Sequence, residues 1–434
     1  CLLFCMVSCV LDSYQITDNI AHGMTAKEAE INAVADMGDP VEVGISLDKV
    51  HKPQVAWKLI VIVGILSLLG IFIQLSIVAD PTYKFHNTDS EYKFVLSVIL
   101  GFAVMCGIYF LDYTLIAKYS KFIGAFIICI GILCISEFSS MYVNGSRYWG
   151  FGSIRLSATA FMMFYVPIYG AILYKYRGGG VISLLKALVW LVIPVIITFK
   201  MPALVVTIIL MISMMIQLSA AVIKGWFKLP VKRTIAVIWT AFGILPMILL
   251  CSMYALHMLA AYQEARIRAW LFATGDTSYM INILRSLRAD IAFIGNSGKD
   301  VMGTLPDFNS DYIFAYIINS YGSIAGILII AALAVLILYV FSVCLKQKNE
   351  LGLVMGFGCG MVILLNTVIN LLVTVGVIPP AASFLPFLSA GGSNILLCYA
   401  LIGIIMSIYR YKDVYPKHVK VPGKTFQMKF TIGL

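Results

Sequence analysis

The amino-acid sequence predicts an all-α, polytopic membrane bundle of about ten transmembrane helices, preceded by a small cytosolic helical unit. Three observations carry that prediction. Of 434 residues, 61% are hydrophobic and only 12% charged, about half the charge of a soluble domain. The apolar residues gather into runs of roughly twenty, the length a helix needs to cross a hydrocarbon core of about 30 Å at about 1.5 Å per residue. Lys and Arg concentrate in alternate links between those runs. This composition excludes an ordinary soluble enzyme, a disordered chain and a small disulfide scaffold. The net charge of +10 reads as loop charge facing an anionic leaflet. No nucleic-acid partner is expected, because no basic patch is interleaved with aromatics.

Residues 1–53 form the helical prefix. The chain opens on Cys1 rather than Met, which predicts an incomplete reading frame. Cys1, Cys5 and Cys9 share a helical face, where packing is favoured over metal, redox or lipid attachment. No CxxC pair occurs among the ten cysteines, and five His are too sparse for a zinc cluster. Thr25 followed by Glu28 is a capping box that starts a helix, and Gly38-Asp39-Pro40 breaks the helical pattern. The run Met37-Gly38-Asp39-Pro40-Val41-Glu42-Val43-Gly44 resembles the HAAS domain, a short helical prefix of some bacterial membrane proteins. That resemblance implies regulation or docking; a plain solubilising prefix is the other reading.

Residues 54–410 form the transmembrane domain, with apolar runs near 55–78, 92–112, 122–141, 157–175, 181–199, 201–223, 234–262, 312–344, 351–377 and 384–409. The run 312–344 exceeds one span and is expected to tilt or extend into the cytosol. Lys118, Lys121, Lys175, Arg177, Lys224, Lys228, Lys232, Arg233, Lys346 and Lys348, with the basic tail 411–434, mark one side. The positive-inside rule makes that side cytoplasmic and places both termini there. The outside loops are then about 79–91, 142–156, 200, 263–311 and 378–383. Loop 263–311 is long and mixes charges with aromatics, which predicts a folded external cap.

Within this frame Asp311 is the most informative residue, because it closes the long loop and opens the eighth span. A carboxylate at the mouth of a span is costly against lipid, so it should face a cavity or a partner. Partial desolvation there would raise its pKa toward that of a usable base. Helix capping is the plain alternative. Arg147, Arg155, Arg266, Arg268, Arg285 and Arg288 all fall on the outside loops and are candidates to hold an anion; contact with solvent or lipid headgroups is the plain reading of each. Glu137, inside the third run, is either functional or hydrogen-bonded to a neighbouring helix. His86 and His257 carry no partner signal. No metal-ligand spacing occurs.

Leu305-Pro306-Asp307-Phe308-Asn309-Ser310-Asp311-Tyr312-Ile313-Phe314 resembles the LPEAHTDFIF motif of the SEDS family, the FtsW/RodA/SpoVE proteins. The run Asn370 through Ser393 is similar to that family's N-x-G…P-x-x-G-x-P-L-P-F-x-S-Y-G-G-S ending, and keeps Asn370, Gly376, Pro379, Pro386, Phe387, Ser389, Gly391, Gly392 and Ser393. Arg266-Ile267-Arg268 resembles the R-I entry to the large loop, Asn144-Gly145-Ser146-Arg147 the N-G-A-R of the second outer loop, and Asp112-Tyr113 a D-Y after span two. Two acidic stretches differ: Q-P-S-E is replaced by Ser157-Ala158-Thr159-Ala160, and E-E-L-G by Asn319-Ser320-Tyr321-Gly322. The family's Trp is displaced by one place, to Trp149.

The resemblance implies a peptidoglycan glycosyltransferase that polymerises the lipid-linked disaccharide-peptide precursor, lipid II, at the outer leaflet. Asp311 is then the catalytic residue. Arg147, Trp149, Arg266, Arg268, Arg285, Ser389, Gly391, Gly392 and Ser393 are the candidate substrate contacts. No cofactor is required by the sequence; a divalent cation bridging Asp311 and the pyrophosphate is compatible with it. The implied partner is a single-span class B penicillin-binding protein, a transpeptidase. Two other readings stay open. One is a non-catalytic scaffold of envelope growth, motivated by the missing acids; the other is a lipid-precursor transporter, although no internal inverted repeat is evident.

Overall fold

In the computed structural model, described residues are 16–36, 54–80, 88–135, 140–143, 146–151, 154–201, 203–258, 264, 268, 272, 279–289 and 291–418. The chain divides at Gln54/Val55 into two units. In the first, helix α1 (Ala26–Asp36) begins at the expected capping box: the Thr25 hydroxyl (2.6 Å) and N–H (3.3 Å) both donate to Glu28 Oε2. Those donors hold the Glu28 carboxyl below the usual carboxylate range. Cys1, Cys5, Cys9 and the HAAS-like run 37–44 lie outside the described residues.

The second unit is a bundle: α2 (Trp57–Ala79), α3 (Thr88–Phe110), α4 (Tyr113–Ile135), strands β1 (Ser140–Val143), β2 (Ser146–Phe151) and β3 (Ile154–Ser157), then α5 (Ala158–Met163), α6 (Tyr165–Tyr174), α7 (Val181–Lys200) and α8 (Leu204–Ile223). It continues through α9 (Val231–Trp239), α10 (Leu245–Ala255), α11 (Tyr279–Arg288), α12 (Val301–Thr304), α13 (Ile313–Tyr321), α14 (Ser323–Leu345), α15 (Glu350–Val375) and α16 (Gly392–Arg410). Among the described residues nine helices are long and apolar enough to cross a membrane, α9–α10 counting as one. The shorter apolar pair α5–α6 falls on the fourth predicted run. All ten residues of α6 are buried, and α15 and α16 are buried along most of their length, so these three form the centre. Alpha-9 and α10 lie at the rim and expose Val237, Leu245, Met247 and Ile248. Such a surface is anomalous in water and ordinary in hydrocarbon. A π-helical turn, Thr240–Ile244, joins them just before Pro246. Proline lacks an N–H and its ring crowds the carbonyl four residues back, and the wider turn relieves both.

Three expectations are refined by the structure or lie partly outside the described residues. The third run ends as a helix at Ile135, and Glu137 lies outside the described residues. The stretch expected as an outer loop, 142–156, carries a three-stranded antiparallel meander whose register pairs Arg147 with Tyr142, and Trp149 with both Ser140 and Leu156. Pairing satisfies backbone groups that a bare loop would leave to solvent. The long eighth run is not one continuous helix: it breaks at Gly322 (φ 92°), giving α13 and α14. The segment 292–297 splices the break. Its Gly295 and Ser297 N–H groups donate to Tyr321 O (3.2 Å) and Asn319 O (2.8 Å), while Ala292 O and Phe293 O accept from Ser323 (3.0 Å) and Ile324 (3.3 Å). A broken helix in a membrane protein persists only when its freed ends are satisfied in this way. A Cβ on residue 322 would lie 2.8 Å from both Phe293 O and Ile294 Cα, so only glycine fits.

At the far end of the bundle from Asp311, residues 411–418 of the basic tail are held down. Asn349 Nδ2 donates to Pro416 O (2.8 Å), Lys348 pairs with Asp413 (3.3 Å), and the Tyr415 hydroxyl bonds the Asp112 carboxylate. Glu350 is buried there, accepting from the Trp226 indole (2.7 Å) and pairing with Lys417 (3.7 Å). Trp226→Phe removes the indole donor to that buried carboxylate, which His418 Nδ1 also approaches at 3.6 Å. A hydrogen bond to a charged group is worth about 1.5–3 kcal/mol, so thermal unfolding of detergent-solubilised protein should show a loss of that size. A variant as stable as the parent would contradict the role.

Candidate functional site

The turn between α12 and α13 is built by its apolar residues. Leu305, Phe308 and Tyr312 are buried, and the Phe308 and Tyr316 rings lie 5.8 Å apart. Between these anchors Asp307 adopts φ 53°, a left-handed conformation that aspartate tolerates, and its carbonyl accepts from Ser310 (3.0 Å) and Tyr312 (3.2 Å). This tight turn leaves Asp311 half-buried at its end. Capping is not the role of its carboxylate: the N-cap of α13 is Tyr312, with no side-chain cap bond. Burial first, and then the charge of Asp307, push the Asp311 carboxyl up to about 7. Such a group exchanges a proton near neutral pH.

Three successive carbonyls leading to this carboxylate are each held from elsewhere. Asn309 O accepts from Gln74 Nε2 on α2 (2.9 Å) and from the Ala390 N–H (2.8 Å). Ser310 O accepts from Ser389 Oγ (2.7 Å), and Asp311 O from Asn370 Nδ2 on α15 (2.7 Å). The segment 383–391 supplies the other wall. Ser383, Phe384, Leu385, Phe387 and Leu388 are buried in it, and Phe387 takes φ 65°. Gly391 follows at φ 143°, Gly392 begins α16, and Ser393 Oγ accepts the Ser157 N–H at 2.9 Å.

The structure gathers the two motif runs at one end of the bundle but changes several predicted roles. Ser389 is 2% exposed, accepts from Leu385 N–H (2.7 Å) and donates to Ser310 O, so it is an internal brace and not a substrate contact. Ser393 likewise binds protein backbone, while Gly391 and Gly392 shape the approach to α16. Trp149 is half-buried with its ring 6.5 Å from Phe161. Arg147 and Arg155 are placed by their strands, but their side chains, all of Arg266 and His86 lie outside the described residues. Arg268 is exposed and pairs with Glu264 (2.6 Å), which also meets His257 (3.2 Å).

Helix α11 packs on α13 and α15, which brings Arg285 and Arg288 to this end. Arg285 is exposed; the Arg288 guanidinium covers Gly376, the left-handed cap of α15, and donates through Nε to Leu284 O (3.2 Å). Burial and the Arg285 charge pull the Arg288 pKa down. Among the described residues no three His, Cys, Asp or Glu side chains gather to hold a metal ion. Of the three positions where the family's acids are replaced, 160 is a buried Ala, 320 is a Ser, and Asn319 donates to Ala315 O (2.9 Å) and accepts from Ser297 Oγ (3.0 Å). Gln74 was not anticipated. A single amide in the apolar run of α2 was the available signal, since a polar group at such a position needs a partner.

Fold and site together define a polytopic helical membrane protein whose acid stands on a braced turn at one end of the bundle. Residues 54–414 match the FtsW/RodA/SpoVE profile, described as "Cell cycle protein", and the chain belongs to that family. It is 25% identical to stage V sporulation protein E of Bacillus subtilis over 81% of this chain and 96% of that one. It is also 27% identical to the peptidoglycan glycosyltransferase MrdB of Helicobacter pylori, over 39% of this chain and 45% of that one. The match to a probable peptidoglycan glycosyltransferase FtsW of Enterococcus hirae is 35% identical but spans only 27% of that protein. The fold resembles a chain in a structure titled as a peptidoglycan synthase complex coordinating polymerization and crosslinking (TM-score 0.67, 18% identity, 82% of this chain and 98% of that one). It also resembles rod shape determining protein RodA of Thermus thermophilus (TM-score 0.57, 16% identity, 82% and 97%). This is a multi-pass bacterial membrane protein.

Proposed function

We propose that this chain is a peptidoglycan glycosyltransferase that polymerises lipid-linked disaccharide-peptide precursor for wall synthesis in growth, division or sporulation. The observation that carries the reading is Asp311: a half-buried carboxyl, uncommitted to capping, with its pKa raised to about 7 on a turn braced from three sides. The names of the family's relatives support the same reaction. In this reading both termini are cytoplasmic and the Asp311 end faces outward, where the sugars of a bilayer-held precursor reside.

The acceptor hydroxyl gives its proton to Asp311 as its oxygen bonds the donor's anomeric carbon. The bond from that carbon to the pyrophosphate breaks, and the polyprenyl pyrophosphate leaves with the electron pair. Arg285 and Arg288 on α11 are the described cations placed to offset that charge; Arg147, Arg155 and Arg266 are further candidates by topology. Arg268 is already paired with Glu264. By family resemblance the partner is a class B penicillin-binding protein, contacting α14 and α15.

The test is direct. Purified full-length chain, alone and with a cognate transpeptidase, is given lipid-linked precursor, and the products are separated by gel. A glycan ladder is expected. A folded protein that makes no polymer under either condition, yet forms a stable complex, would sink the reading. It would favour the non-catalytic scaffold that Ala160 and Asn319 suggest.

A further inference from the structure

Alpha-2 is apolar through nearly its whole length, and Gln74 is its one amide. The side chain is 7% exposed. An amide in such a place is costly unless its hydrogens are used, and here both are. Nε2 donates to Asn309 O at 2.9 Å and to Leu388 O at 3.0 Å. The two carbonyls belong to different segments: Asn309 lies two residues before Asp311, and Leu388 lies in the opposite wall, 383–391. The Ala390 N–H returns from that wall to Asn309 O (2.8 Å), which closes a ring of bonds through α2 and both segments. A planar amide of this length presents two hydrogens to two carbonyls. Glutamate has none to give when ionised, and leucine has none at all.

We infer that Gln74 is a positioning residue for Asp311, tying the turn 305–312 to the wall 383–391 so that the carboxylate keeps one place. The inference rests on the reading of Asp311 as the base. Gln74 meets backbone, not the reacting atoms, and works by restricting the turn. A displacement of about 1 Å at a reacting group can cost a hundredfold in rate.

The experiment compares full-length wild type, Gln74→Leu, Gln74→Glu and Asp311→Asn in three measurements. In polymerisation kinetics, Gln74→Leu should lower kcat by about tenfold to a hundredfold while leaving KM for the precursor within about twofold. In the pH profile its midpoint should move to the acid side of wild type, because a released carboxylate reaches more water while Asp307 still faces it. In hydrogen exchange, amides in the peptide 306–314 should exchange faster. Should Gln74→Leu fail to accumulate in the membrane, Gln74→Glu keeps the side chain's shape and gives the same readouts. Wild-type kcat, midpoint and exchange in the variants would overturn the inference while leaving Asp311 in its role. An Asp311→Asn variant as active as wild type would instead overturn the reading of Asp311. The exchange measurement needs no activity and still decides whether Gln74 holds the turn.

Discussion

Replacing Asp311 with Asn is expected to lower polymerisation of lipid-linked precursor by about 10²–10⁴-fold, the usual contribution of a positioned base. Asn keeps the size and polarity of the side chain and cannot take up a proton, so folding and precursor binding should survive. In the wild type the working form is the carboxylate. Its pKa is raised to about 7, so activity should climb as pH rises through 7 and level off above it. Between pH 6 and 8 the ionised fraction, and with it kcat, should grow about tenfold. The sign for stability is opposite. A carboxyl whose folded pKa exceeds its unfolded value binds its proton more tightly when folded. Its contribution therefore favours the folded state at low pH and is lost between about pH 4 and pH 7. A kcat profile flat from pH 6 to 8, or an Asp311→Asn variant of normal activity, would remove Asp311 from the chemistry.

The second large effect is expected at Gly70, which touches no reacting group. A Cβ there would lie 2.1 Å from the carbonyl oxygen of Phe387. That oxygen has little room to retreat: Phe387 is already at φ 65°, Gln74 holds Leu388 O, and Ser389 is bonded to Ser310 O. Gly70→Ala should therefore cost about 3 kcal/mol, the upper end of overpacking. Activity should be largely lost, because the wall that braces the Asp311 turn must move. Gly64→Ala is the control on the same helix, since a Cβ there meets nothing within 4 Å. Alanine is the better helix former by about 1 kcal/mol, so that variant should be neutral or stabilised. Thermal unfolding in detergent with polymer yield on the same samples checks both. Equal behaviour of the two variants would show that the contact at Gly70 is not limiting.

Much of this molecule is legible along the chain, and the legible part has a common physical character. The membrane bundle follows from composition and run length, because a helix must match the bilayer thickness. The start of α1 follows from Thr25 and Glu28, three residues apart. Asp311 stands out because a carboxylate beside an apolar run is costly anywhere but at a site. Each of these is a property of one window of sequence.

What required the folded chain is of another kind. The break at Gly322 is stable because the segment 292–297 supplies partners for both helix ends, and an apolar run carries no mark of that. Ser389 looked like a substrate contact in its motif and proves to be a brace once Ser310 O is seen against it. Gln74 reaches Asn309 across 235 positions and Leu388 across 314. Periodicity and propensity act over a few turns of helix, whereas the aim of the Asp311 carboxylate is set by backbone carbonyls paired across the whole chain. Where the acid stands is written locally, and what holds it there exists only after the helices have packed.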